Sequence, residues 1–144
     1  MNFVSIRIIT HDVRRLVDFY ETVTGVAAKW YTPDFAELPT PSCTLAIAAK
    51  RTMDVFSAGA ARPENNHTVI LEFKVDDVDK DHARLAETIR EFVQAPTTMP
   101  WGNRSMLFRD PDGNLVNLFT PVSPAAIAKF SADASAPSSR AATS

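Results

Sequence analysis

Residues 109–119, Arg-Asp-Pro-Asp-Gly-Asn-Leu-Val-Asn-Leu-Phe, carry the strongest local signal in the chain. Asp110-Pro111-Asp112-Gly113 is turn chemistry. Pro111 presets φ at the second turn position, both Asp carboxylates can accept from nearby backbone N–H groups, and Gly113 takes positive φ without steric cost. A strand is expected on each side. Met106-Leu107-Phe108 leads in, and the outgoing run from Leu115 to Phe119 is apolar at every position except Asn117. A polar amide in the middle of an apolar strand calls for an explanation.

Working outward from this hairpin, the chain reads as two copies of one unit. Val4 to Ile9 is a strand candidate. It ends at Thr10-His11-Asp12, where Asp12 or Thr10 can cap a helix carrying Val13, Leu16, Val17, Tyr20 and Val23 at helical spacing, with Gly25 as its stop. Val69 to Val75 repeats the plan, with Asp76 or Asp77 as cap and a helix bearing Val78, His82, Leu85, Ile89 and Phe92. Three strand candidates follow each helix: Ala27 to Tyr31, Phe35 to Leu38 and Thr44 to Ala49, then Phe92 to Ala95, Arg104 to Phe108 and Leu115 to Phe119. The expected fold is α+β, a tandem of βαβββ modules. Residues 1–52 form the first module, 53–66 a linker with a helical turn near Met53 to Phe56, and 67–123 the second module. Residues 124–144 form an extension, with a short helix over Ala125 to Phe130 and disorder from Ser131 onward.

The hairpin, the duplicated plan and Asp18-Phe19-Tyr20 on the first helix together resemble the vicinal oxygen chelate superfamily, which includes glyoxalase I, the bleomycin-resistance proteins, fosfomycin-resistance enzymes and extradiol dioxygenases. The resemblance covers residues 3 to 121. It implies two curved mixed sheets whose open faces form a barrel-like cleft, within one chain or across a homodimer. In that family the hairpin pattern runs Asp-Pro-Asp-Gly-Asn-x-x-Glu-Leu, and the Glu is a metal ligand. Asn117 stands in its place. Carried over by the strand–helix junctions, the family's metal positions fall at Ser5, Ala46, Ile70 and Asn117, none of them His, Glu or Asp. Hydroxyl and amide oxygens alone make a poor site for zinc, iron or nickel, so no metal and no cofactor is expected. The resemblance then implies a binder of a small organic ligand in the cleft. The alternative is an enzyme of the same superfamily, of lyase or dioxygenase type, acting on a small oxygenated substrate. No residue is assigned a catalytic role.

Strand alternation nominates the first of the ligand-binding candidates. Counting by two from Ser5 and from Ile70 places Arg7 and Glu72 at matching positions on equivalent faces, where a buried pair would be expected if those faces line the cleft. Trp101 and Arg104, in the loop before the final hairpin, offer a stacking surface and a cation. Trp30, beside Tyr31 and Phe35, and the strand carboxylate Glu37 complete the set with Ser5 and Asn117. His11, His67 and His82 are scattered at element ends and are expected to face solvent. The single cysteine, Cys43, reads as a small buried hydrophobe.

A formal net charge of −2 with no run of Lys and Arg argues against nucleic acid. No apolar stretch reaches bilayer length and the N-terminus lacks a signal-peptide pattern, which places the expected protein in the cytoplasm and off the membrane. There is no phosphate-cradling Gly-rich loop, no Gly-x-Ser-x-Gly elbow and no His-Glu-x-x-His helix.

Overall fold

The computed structural model describes residues 1–134, with side chains through residue 131. Eight strands and two helices follow the duplicated βαβββ plan: β1 (Ser5–Thr10), α1 (Val13–Thr24), β2 (Lys29–Thr32), β3 (Phe35–Pro39) and β4 (Thr44–Ala49), then β5 (Ile70–Lys74), α2 (Val78–Leu85), β6 (Phe92–Thr98), β7 (Asn103–Arg109) and β8 (Leu115–Pro121). A 3-10 turn over Lys50–Val55 follows β4, and a third helix, α3 (Pro124–Ala134), closes the described chain. Two four-stranded mixed sheets result, ordered β1-β4-β3-β2 and β5-β8-β7-β6. In the first, β1 runs parallel to β4 while β3 is antiparallel to both β4 and β2.

By compactness the chain divides differently from its strand plan. Met1–Leu71 joins with Arg109–Val116, and Glu72–Phe108 joins with the segment from Asn117 onward.

In the first unit, the Asp12 carboxylate caps α1 by accepting from the Arg15 N–H, and Gly25 ends it at φ 69° with its N–H on the Glu21 carbonyl. The five apolar residues read at helical spacing, Val13, Leu16, Val17, Tyr20 and Val23, are all buried. They meet Ala36, Leu38, Leu45 and Ile47, whose register places them on one face of the sheet. Each large aliphatic side chain buried here stabilises the fold by about 1.5–3 kcal/mol. Tyr20 reaches the hairpin turn, where its hydroxyl donates to Asp110 Oδ2 at 2.6 Å. Asp110 Oδ1 accepts from the backbone N–H groups of Asp112 and Asn114, and Oδ2 accepts also from Asn114 Nδ2. That explains why turn residues 109–116 belong to this unit.

In the second unit, Asp77 caps α2 by accepting from the N–H groups of Asp79 and Lys80. The helix buries Val78 and Leu85, while Ile89 is buried in the turn beyond it and Phe92 already belongs to β6. The helix α3 is longer than the Ala125 to Phe130 segment expected. Its Phe130 ring lies 5.1 Å from Phe119, and Ala126 is buried. Disorder from Ser131 is therefore corrected for residues 131–134, which are helical, and the rest of that expectation lies outside the described residues. No helix among the described residues is long and apolar enough to cross a membrane.

Candidate functional site

The face of the first sheet opposite α1 carries most of the first unit's candidates. Register aligns Lys29, Glu37, Ala46 and Arg7 in one row across the four strands, with Phe35, Ala48 and Ile9 in the next. Ser5 continues the same face beside Thr44. The Arg7 guanidinium sits over two rings, 5.1 Å from the centre of Phe35 and 5.5 Å from that of Phe56, and Tyr31 packs 5.7 Å from Phe35. Arg7 is exposed and Glu37 half-buried. Trp30 lies on the other side. It pairs with Ala36 and takes the Arg14 guanidinium of α1 over its indole at 4.3 Å, so it packs under the helix.

A cavity of about 210 Å³ opens in this unit at the outer edge of β1. Ile6, Ile8, Ile9, Val69 and Leu71 give it an apolar lining, and Arg7, Arg62 and Glu64 a charged one. Asn66 and Asn114 close the polar side, joined by a 3.1 Å hydrogen bond from Asn66 Nδ2 to Asn114 Oδ1. Glu64, at φ 62°, is the one non-glycine residue with positive φ among the described residues, a conformation that persists only when its surroundings impose it. Sequence reasoning missed Arg62, Glu64 and Asn66 because they sit in a linker without periodicity. The polar pair Asn65-Asn66 was the one visible signal.

In the second unit, Asn117 is buried on the middle of β8 and donates from Nδ2 to Glu72 Oε2 at 2.8 Å. Thr120 accepts from the Val78 N–H at the start of α2, so strand alternation places Asn117 on the face away from that helix. Asn117 thus has a partner that explains it, although its Oδ1 is buried without one. Glu72 itself is exposed, as is Arg7, so neither side chain has the burial expected of it.

Arg104 is also corrected. It pairs with Thr98 across the β6–β7 hairpin on the α2 side, and its Nε donates to Asp79 Oδ2 at 2.8 Å, so it closes an ion pair with the helix. The same bond holds the Asp79 carboxyl below its ordinary pKa. Trp101 is 67% exposed at the hairpin tip and lines neither this unit's cavity, beside Lys74 and Phe130, nor that of the first unit. His82 lies 4.5 Å from Phe92, half-buried, where a solvent-facing ring was expected. His11 and His67 are exposed, and Cys43 is half-buried with Sγ toward the Thr44 carbonyl, not fully buried as expected.

The family model of the glyoxalase/bleomycin resistance protein/dioxygenase superfamily matches residues 2–118. The chain belongs to this superfamily. Among relatives, the uncharacterized protein YraH of Bacillus subtilis (strain 168) is 26% identical over 125 residues, covering 83% of this chain and 98% of its own. A crystal structure of a glyoxalase/bleomycin resistance protein/dioxygenase from Nocardioides superposes with a TM-score of 0.69 at 26% identity, covering 86% of this chain and 85% of the other. A family enzyme from Burkholderia phytofirmans PsJN reaches a TM-score of 0.74 at 19% identity, over 85% and 100% of the two chains, a likeness of fold.

The positions to which the superfamily resemblance carries the metal ligands hold a hydroxyl at Ser5, a methyl at Ala46, an apolar side chain at Ile70 and, at Asn117, an amide whose nitrogen donates to Glu72. Three or more charged or imidazole ligands are what a catalytic zinc needs. Among the described residues no group of three or more His, Cys, Asp and Glu side chains is arranged to hold a metal ion.

Proposed function

We propose that this superfamily member binds a small organic molecule without the metal centre characteristic of its metal-dependent relatives. The observation that carries the reading is Asn117, the amide standing where the family has a carboxylate, with its nitrogen committed to Glu72. A neutral amide oxygen is a weak ligand for a divalent transition metal. The cavity at the edge of β1, with its apolar lining and few charged groups, has the character of a small-molecule site. The protein is proposed to act as a cytoplasmic homodimer. A thermal-shift screen of small organic acids, alcohols, amines and oxygenated aromatics in excess EDTA tests the proposal, because a ligand that binds the folded state raises the melting temperature. Stabilisation that persists in EDTA is the expected result. Stabilisation that appears only when zinc, nickel, iron or manganese is restored would defeat it.

Glu72 favours a second reading, that of an enzyme acting on a small oxygenated substrate. Its carboxylate is exposed and steadied by the Asn117 amide, an arrangement suited to moving a proton. Turnover of a bound compound that is lost in Glu72→Gln while binding remains would select this reading.

A further inference from the structure

We infer that the cavity at the edge of β1 takes a small apolar molecule carrying one carboxylate, an assignment that deepens the small-molecule reading above and rests on it. The body of the ligand follows from the lining. Ile6, Ile8, Ile9, Val69 and Leu71 offer only hydrocarbon, so a polar body would be stripped of water without compensation. About 210 Å³ of space lies below the range of drug-sized sites, roughly 300–1,000 Å³, so the molecule is small.

The charged end follows from which polar groups are already engaged. Asn66 spends its Nδ2 on Asn114, and its Oδ1 accepts from the Thr68 and Val69 N–H groups. Asn114 Nδ2 donates to Asp110. Arg7 and Arg62 are the cations of the lining, and neither has an ion-pair partner among the described residues. Arg62 has only a long 3.4 Å contact to the Gly59 carbonyl. Arg7 is held by the faces of Phe35 and Phe56, which orient a guanidinium without neutralising it. A planar guanidinium matches the two oxygens of a carboxylate. Glu64 is the one carboxylate of the lining against two cations, a net charge that suits a monoanion better than a dianion.

Calorimetric titration of the full chain with hexanoate, 1-hexanol and hexylamine tests the assignment, since the three share an apolar body and differ in the head. Hexanoate is expected to bind about tenfold more tightly than hexanol, the factor that one charge-assisted hydrogen bond supplies, and hexylamine not measurably. In the double variant Arg7→Gln, Arg62→Gln, hexanoate should fall to the level of hexanol while hexanol is unchanged. Ala61→Phe, which fills the cavity from its linker side, should abolish both. Because Arg7 and Arg62 are exposed, the double variant keeps the test available should Ala61→Phe fail to fold. Equal binding of hexanoate and hexanol would overturn the carboxylate assignment and leave the small-molecule reading standing. Undiminished hexanoate binding in either variant, or none in the parent protein, would overturn the assignment too. The broader reading falls only if the compound screen in EDTA also fails.

Discussion

Asp110 gathers four donors onto one carboxylate: two backbone N–H groups, the Asn114 amide and the Tyr20 hydroxyl. Burial, with Asp110 beside it, pushes the Tyr20 phenol well above its ordinary pKa, so the proton stays in that bond. Tyr20→Phe keeps the packing and removes one hydrogen bond to a carboxylate, so denaturant unfolding should show a loss of about 1.5–3 kcal/mol. Two residues on, burial raises the Asp112 pKa, Asp110 and Glu64 add to the rise, and Thr10 and Arg15 oppose it. An acid whose folded pKa exceeds its unfolded value holds its proton more tightly when folded, so its contribution to stability is present at low pH and lost as pH rises through the folded pKa. Asp112→Asn should therefore melt above the parent at pH 7, with the advantage vanishing as pH falls below the carboxylate range. The turn was legible from Asp110-Pro111-Asp112-Gly113 alone. Its tie to Tyr20 was not, because a bond spanning ninety positions leaves no local pattern.

At the scale of elements, alternation and periodicity located all eight strands and both module helices, because each buries one face and so writes its period into the sequence. Arg104 shows where a loop reading fails. Expected in the loop before the final hairpin, it lies instead in β7, two and four residues before the buried Met106 and Phe108, so strand alternation carries it to the α2 side, where it meets Asp79. The length of α3 was hidden for another reason: a run of Ala and Ser has helix propensity but almost no apolar stripe. Its docking rests on Gly102, whose carbonyl accepts from the Val122 and Ser123 N–H groups. Gly102 has φ 95°, and a Cβ there would run into the Ser123 side chain. Gly102→Ala should cost about 1–3 kcal/mol from backbone strain alone, and more from the collision. Retention of parent-like stability in a thermal melt would show that this contact does not anchor the helix.

For the molecule as a whole, the sheet plan was readable because it was written twice, and membership of the superfamily rests on a match over residues 2–118. The division into compact units was not readable, since it turns on where the hairpin tip packs. The candidate site was legible in part. Arg7 and Ser5 share one face as alternation predicts, Glu37 lies on the same face, and Asn117 meets Glu72, whereas the cavity's Arg62 and Glu64 lie in an aperiodic linker. In the proposed function, the chain kept the superfamily's fold without its metal donors. Asn117→Glu should not restore a tight site, because it adds one carboxylate, sets it beside Glu72 and leaves Ser5, Ala46 and Ile70 as they are. The most direct measurement is the metal content of parent protein expressed in zinc-, nickel-, iron- and manganese-supplemented medium, purified without chelator and analysed by plasma mass spectrometry after gel filtration. Each metal is expected far below one equivalent per chain; any one of them near one equivalent would overturn the proposal.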